Sequence, residues 1–153
     1  MNTRAVLFDV GFTLIYPGPT FQGEGYQAFC ARHGMTVDPL VFDRAVASAG
    51  HLLDEAEDAV YDAEIFIGYA RHIIEQMGGH GRRVDACARE IYDAWASNHH
   101  FELYQDVPAA LRNLAGAGIR VGLISNSHRC LESFQSHFEL REFVLGAVSS
   151  SEH

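Results

Sequence analysis

The stretch Ala5 to Leu14, AVLFDVGFTL, constrains what this chain can fold into more than any other. Ala5 to Phe8 is too short and too apolar for an amphipathic helix. It reads as a strand buried on both faces, of the kind found inside a parallel sheet. The strand delivers Asp9 at its carboxyl end, and the chain then turns through Gly11. In open α/β sheets ligands bind in the crevice beyond the carboxyl ends of the strands, which makes Asp9 a candidate nucleophile. An aspartate followed soon by glycine is also a common turn former, and on this stretch alone both roles stand.

A second stretch, Gly118 to Asn126 (GIRVGLISN), is another apolar strand, Ile119 to Ile124, that ends in a hydroxyl and an amide. Two buried strands that both finish in small polar groups build one site if they lie side by side. Together these residues resemble the haloacid dehalogenase-like superfamily. Its first motif, Asp-x-Asp-x-Thr after an apolar strand, is matched by Asp9-Val10-Gly11-Phe12-Thr13. Its second, a Ser or Thr closing another apolar strand, is matched by Ser125 followed by Asn126. The resemblance implies an α/β fold, a parallel Rossmann-like sheet domain with a helical cap inserted between the two motifs.

The chain has 153 residues and a formal charge of -9, from 20 acidic and 11 basic residues. That is enough for one ordinary domain and marginal for two. The acidic balance argues against a nucleic-acid partner or an anionic membrane surface, so a bound phosphate needs local donors or a cation. Cys30, Cys87 and Cys130 are odd in number and far apart, in no metal-ligand spacing, and read as reduced and buried. With no apolar run of membrane-spanning length and no signal-peptide pattern, the expected location is cytoplasmic.

Between the motifs the pattern is helical. Tyr16 to Thr20 is a breaker-rich connection out of the sheet. Phe21 to His33 is a helix weakened by Gly23 and Gly25, with Gly34 where a left-handed cap is expected. Asp38-Pro39 starts a second helix carrying Phe42, Ala45, Val46, Ala49, Leu52 and Leu53. The acidic run Asp54 to Asp58 reads as its solvated end. Phe66 to Met77 forms a third apolar stripe, stopped by Gly78-Gly79, and Val84 to Trp95 a fourth. Four such stripes bury themselves by packing on one another. The expected division is therefore 1–15 and 105–153 as the sheet core, with 16–104 as the cap.

After residue 105 the sheet resumes. Asp106 can cap a helix carrying Leu111 and Leu114, then come the strand to Ile124, a short helix with Leu131, Phe134 and Phe138, and a last apolar run, Phe143 to Val148. His99-His100 with Glu102 lacks the spacing of a helical zinc motif and reads as surface or hinge. His128 reads as a first-turn helix residue.

The resemblance implies a phosphatase in which Asp9 attacks phosphorus and the aspartyl phosphate is then hydrolysed by water. It assigns Mg²⁺ to the Asp9 carboxylate and the backbone carbonyl of Gly11. It assigns the phosphoryl oxygens of a small phosphorylated substrate to Ser125 and the amide of Asn126. Two departures matter. Gly11 replaces the aspartate that serves as acid and base, so alkyl phosphates are disfavoured while acyl and aryl phosphates need less help. The third and fourth motifs, a lysine and a later carboxylate pair, have no counterpart, because the chain contains no lysine. Two rivals follow: a metal-independent dehalogenase using the same aspartate, and a non-catalytic member that binds a ligand or a protein. The strand with the fourth motif would lie beside Ala5 to Phe8, so the sheet is expected to be incomplete, with an open apolar edge prone to self-association.

Overall fold

The computed structural model describes residues 3–54 and 62–150. Contacts divide the chain into two compact units, Met1–Tyr16 with Ala96–His153, and Pro17–Trp95. In chain order the elements are β1 (Ala5–Asp9), β2 (Ile15–Pro17), α1 (Gly23–Arg32), α2 (Phe42–Asp54), α3 (Ala63–Gln76), α4 (Val84–Trp95), β3 (Phe101–Leu103), α5 (Val107–Gly116), β4 (Arg120–Ser125), α6 (Leu131–His137) and β5 (Val144–Ser149). The α/β class expected from the alternation of apolar runs is the one observed.

In the first unit, β1, β4 and β5 form a parallel sheet in the order β1-β4-β5. Ala5 pairs with Arg120 and Asp9 with Ile124; Ser125 pairs with Ser149. Helix α5 leads into β4 and α6 joins β4 to β5. Successive steps in one direction with right-handed crossovers put both helices on one face. Side chains alternate along a strand, so Val121 and Leu123 turn to that face and are buried, as are Leu111 of α5 and Phe134 of α6.

The opposite face is different. Leu7 is 70 % exposed and Ile124 51 %. The reading of β1 as buried on both faces is therefore corrected: among the described residues, the helices that follow the strands cover one side only. Asp106 is corrected as well. It stands at the start of α5 in a helical conformation, and its side chain makes no capping hydrogen bond.

A two-stranded ribbon pairs β2 with β3; Ile15, Tyr16 and β3 belong to this unit and Pro17 to the second. The amide of Tyr104 donates to the carbonyl of Leu14 at 3.1 Å, and the Tyr16 and Tyr104 rings meet at 5.0 Å. The compact unit that holds the sheet includes residues 96–104. Three-residue strands, one of them ending in Pro17, carry too little periodicity to announce themselves.

In the second unit α2 packs on α3, α3 on α4, and α1 on α4. Ile73 and Ile74 of α3 and Ile91 of α4 are buried, and each fully buried side chain of this size contributes about 1.5–3 kcal/mol. Asp38 accepts from the Leu40 amide at 2.9 Å, with Pro39 set in the first turn. Asp62 caps α3 in the same way, through the Glu64 amide. Gly25 has a packing reason: a Cβ there would lie 2.0 Å from the Thr20 carbonyl oxygen. Cys30 and Cys87 are buried with their sulfurs 3.9 Å apart, whereas Cys130 is exposed, correcting the expectation for that residue. Of the acidic run, Asp54 ends α2 and residues 55–58 lie outside the described residues.

Candidate active site

The register of the parallel sheet sets the site. Asp9 is the last residue of β1 and stands opposite Ile124, so Ser125 and Asn126 follow at the same, carboxyl, end of the adjacent strand. Beyond Asp9 the chain closes a tight turn on the buried Val10. The Val10 carbonyl accepts from the amides of Thr13, Leu14 and Ile15 at 3.4, 3.0 and 3.2 Å, and the Phe12 amide donates to the Ile15 carbonyl at 2.8 Å. Val10, Leu14 and Ile15 are buried, which anchors the turn on both sides. Gly11 lies within it. Thr13 Oγ1 donates to Asp9 Oδ2 at 3.2 Å and so orients the carboxylate.

Ser125 is buried, and its Oγ lies 3.1 Å from Ser127 Oγ. The loop after β4 is tied to the end of β5: Ser149 Oγ donates to the Ser127 carbonyl at 2.6 Å, and Ser150 Oγ donates to Asn126 Oδ1 at 2.5 Å. A third anchor is Arg129, which is buried and donates from Nη1 to Asn98 Oδ1 at 2.7 Å while its guanidinium lies 4.1 Å above the Phe101 ring. Burial lowers its pKa to about 10, so it stays cationic at neutral pH.

Thr13, Ser127, Ser149 and Arg129 are the contributors that sequence reasoning left without a role. Thr13 was visible as the last residue of the first motif, and Ser149 as a second hydroxyl closing an apolar run. Arg129 had no signal, since an arginine four residues past a strand is ordinarily solvent-exposed. His128 precedes α6, which begins at Leu131, so it is not a first-turn residue. His99 lies in a 3₁₀ turn and packs edge-on against His137 at 4.7 Å. These two imidazoles line a groove of about 580 Å³ with Ser133, Ser136 and Arg141. None of Asp9, Gly11, Ser125 and Asn126 contributes to it.

No family profile and no curated protein matches the sequence of this chain. Solved structures do match. A hydrolase from Streptococcus pneumoniae TIGR4 aligns with TM-score 0.57 at 16 % identity, over 99 % of this chain and 69 % of that one. The HAD-hydrolase-like protein YfnB of Bacillus subtilis, bound to magnesium, aligns with TM-score 0.64 at 12 % identity, over 99 % of this chain and 65 % of that one. The chain has a haloacid dehalogenase-like fold. A 2-haloacid dehalogenase from Pseudomonas syringae pv. Tomato DC3000 shares it, with TM-score 0.52 at 18 % identity over 99 % of this chain and 65 % of that one. The chain thus spans about two thirds of the length of these three structures.

The groups at this strand end that could hold a metal are the Asp9 carboxylate and the Gly11 backbone carbonyl. Both are hard oxygens, which suits Mg²⁺, an ion that keeps several waters and takes few protein ligands. Among the described residues no group of three or more His, Cys, Asp or Glu side chains gathers to hold a metal.

Proposed function

We propose that this chain carries the nucleophile and the phosphate-binding elements of a haloacid dehalogenase-like hydrolase acting on small phosphorylated substrates. The observation that supports this best is the register that brings Asp9 and Ser125 to the same end of neighbouring parallel strands. Asp9 attacks phosphorus, and the P–O bond to the leaving group breaks with its electron pair going to that oxygen. Water then hydrolyses the aspartyl phosphate, releasing phosphate and restoring the carboxylate. Thr13 holds the carboxylate in position for attack. Ser125 and the amide of Asn126 hold the phosphoryl oxygens as charge develops on them. When bound by Asp9 and Gly11, Mg²⁺ supplies the charge neutralisation that an anionic nucleophile and an anionic ester require. The helical unit, residues 17–95, is proposed as the cap that selects the substrate.

The test is release of 4-nitrophenol from 4-nitrophenyl phosphate with Mg²⁺, by the wild type and Asp9→Asn. Turnover that vanishes in the variant, with phosphate trapped on Asp9 in the wild type by mass spectrometry, supports the reading. Turnover that survives in Asp9→Asn sinks it.

Gly11 favours a second reading. Without a carboxylate there, the same Asp9 suits displacement of halide from carbon, which needs no protonated leaving group. Halide release from a 2-haloacid, lost in Asp9→Asn and unaffected by chelation, would replace the first reading. A further part of the proposal concerns self-association. Among the described residues β1 has β4 as its one neighbour, and Leu7 is exposed, so a second copy can pair along this edge. Light scattering that gives a monomer mass at all concentrations would rule this out.

A further inference from the structure

The groove beside α6 lies wholly within the sheet unit. One side of it is the 3₁₀ turn Asn98–His100 with the residues before it. The other is a single face of α6, on which Glu132 and Ser133 recur one turn later as Ser136 and His137, followed by Arg141. A volume of about 580 Å³ is the size of a site for a metabolite-sized molecule.

The chemistry of the lining decides what such a site takes. Arg129 donates from Nη1 to Asn98 Oδ1 at 2.7 Å. A guanidinium only donates, so the amide oxygen of Asn98 is fixed on Arg129 and its NH₂ is left for other acceptors. Arg141 spends an Nη2 hydrogen on Glu132 Oε1 at 2.8 Å and keeps the rest of its donor fork. The imidazoles of His99 and His137, edge-on at 4.7 Å, each carry an N–H even when neutral, and Ser133 adds a hydroxyl. Ser136 adds least, because its hydroxyl donates to the Glu132 carbonyl at 3.0 Å. Glu132 is the carboxylate of the lining, and Arg141 already pairs with it. With the buried Arg129 bonded to Asn98, two guanidiniums stand against that carboxylate, a local positive excess in a chain of formal charge -9. The same lining suits a metal poorly, since no group of three or more His, Cys, Asp or Glu gathers among the described residues.

We propose that this groove binds the oxyanion group, phosphate or carboxylate, of a metabolite-sized molecule. Arg141 is its principal cation, and the Asn98 amide, Ser133 and the two imidazoles are further donors. The planar fork of arginine matches either oxyanion. Asp9, Gly11, Ser125 and Asn126 take no part in the lining, so this is a second site, independent of the chemistry at Asp9.

The experiment titrates inorganic phosphate, and separately acetate, into the isotope-labelled 153-residue chain at constant pH and at an ionic strength held with sodium chloride. The ring signals of His99 and His137 are followed by NMR, which separates this groove from the Asp9 site. Both rings are expected to shift in a saturable way. Arg141→Gln should weaken binding roughly 3- to 10-fold, by removing a charged donor. Glu132→Gln should tighten it roughly threefold, because it releases Arg141 and removes the competing carboxylate. The two side chains are 59 % and 80 % exposed, so both variants should keep the wild-type melting temperature, and a merely structural ion pair would not give opposite signs. A response to phosphate alone assigns a phosphate ligand, one to acetate alone a carboxylate, and one to both the shared oxyanion. Shifts confined to Ser125 and Asn126, a response that sodium chloride reproduces, equal affinities in wild type and Arg141→Gln, or no response to either anion would overturn the proposal.

Discussion

Thr13 donates its hydroxyl to Asp9 Oδ2 across 3.2 Å, from the far side of the turn that follows the strand carrying the carboxylate. The contact leaves the other carboxylate oxygen available while limiting rotation of the group. Hydrogen bonds to a charged acceptor are worth about 1.5–3 kcal/mol when desolvated and less in water. Thr13→Val, which keeps the shape, should therefore lower turnover of 4-nitrophenyl phosphate by about tenfold. The thermal midpoint should barely move, because the bond is exposed. Steady-state kinetics beside a melting curve checks both parts. Unchanged turnover would mean that Asp9 is oriented by other contacts.

Gly11 has open space where a side chain would begin, and its φ lies outside the left-handed region. Gly11→Asp is therefore tolerated by the backbone and restores a carboxylate two residues from the nucleophile. General acid-base catalysis is worth ~10² to 10⁴ in rate. The variant should gain toward the lower figure on alkyl phosphates, and its rate should depend less on leaving-group pKa. A series of esters measured for both proteins gives the slopes. Parallel slopes with no gain would mean that another group supplies the proton.

Helix α1 offers a test in which two physical effects have opposite signs. Alanine is favoured over glycine inside a helix by about 1 kcal/mol, so propensity alone predicts that Gly25→Ala stabilises. The Cβ of that alanine would lie 2.0 Å from the Thr20 oxygen and 2.7 Å from the Pro19 oxygen, both backbone atoms. Displacing backbone is costly, and overpacking typically costs 1–3 kcal/mol. Gly25→Ala should therefore destabilise by about 1–3 kcal/mol in denaturant unfolding, and a stabilised variant would show that this turn yields easily.

Much of this was legible because apolar runs and their stop signals are local properties. The strand ending in Asp9, the four helical stripes and the Asp38-Pro39 cap each rest on spacing within one segment, and the structure has all of them. What stayed hidden depends on partners distant in sequence. Phe101–Leu103 joins the sheet unit through Ile15–Pro17, a pairing that three residues cannot encode alone. Arg129 is buried because Asn98 and Phe101 receive it. The left-handed φ of Phe12 was illegible for another reason: phenylalanine is among the residues least expected there.

The last prediction concerns acid. Glu90 of α4 accepts from Arg32 at 2.7 Å and from the His33 ring at 2.6 Å, which joins the end of α1 to α4. Burial by itself would raise the Glu90 pKa, but the hydrogen bonds from Arg32 and His33, with their charges, together outweigh it and hold the carboxyl below its ordinary value of 4.5. A carboxyl whose folded pKa is depressed binds protons less readily in the native state than in the unfolded one. Its contribution to stability is therefore present above the ordinary value and is lost as pH falls from about 4.5 through the folded pKa. The side chain is 40 % exposed, so solvent screening keeps the effect within the range of surface ion pairs, about 0–1 kcal/mol. Unfolding midpoints taken between pH 6 and pH 3 should fall less steeply in Glu90→Gln than in the wild type, and added salt should narrow the difference. Superimposable pH profiles would show that the three groups contribute no linked stability in solution.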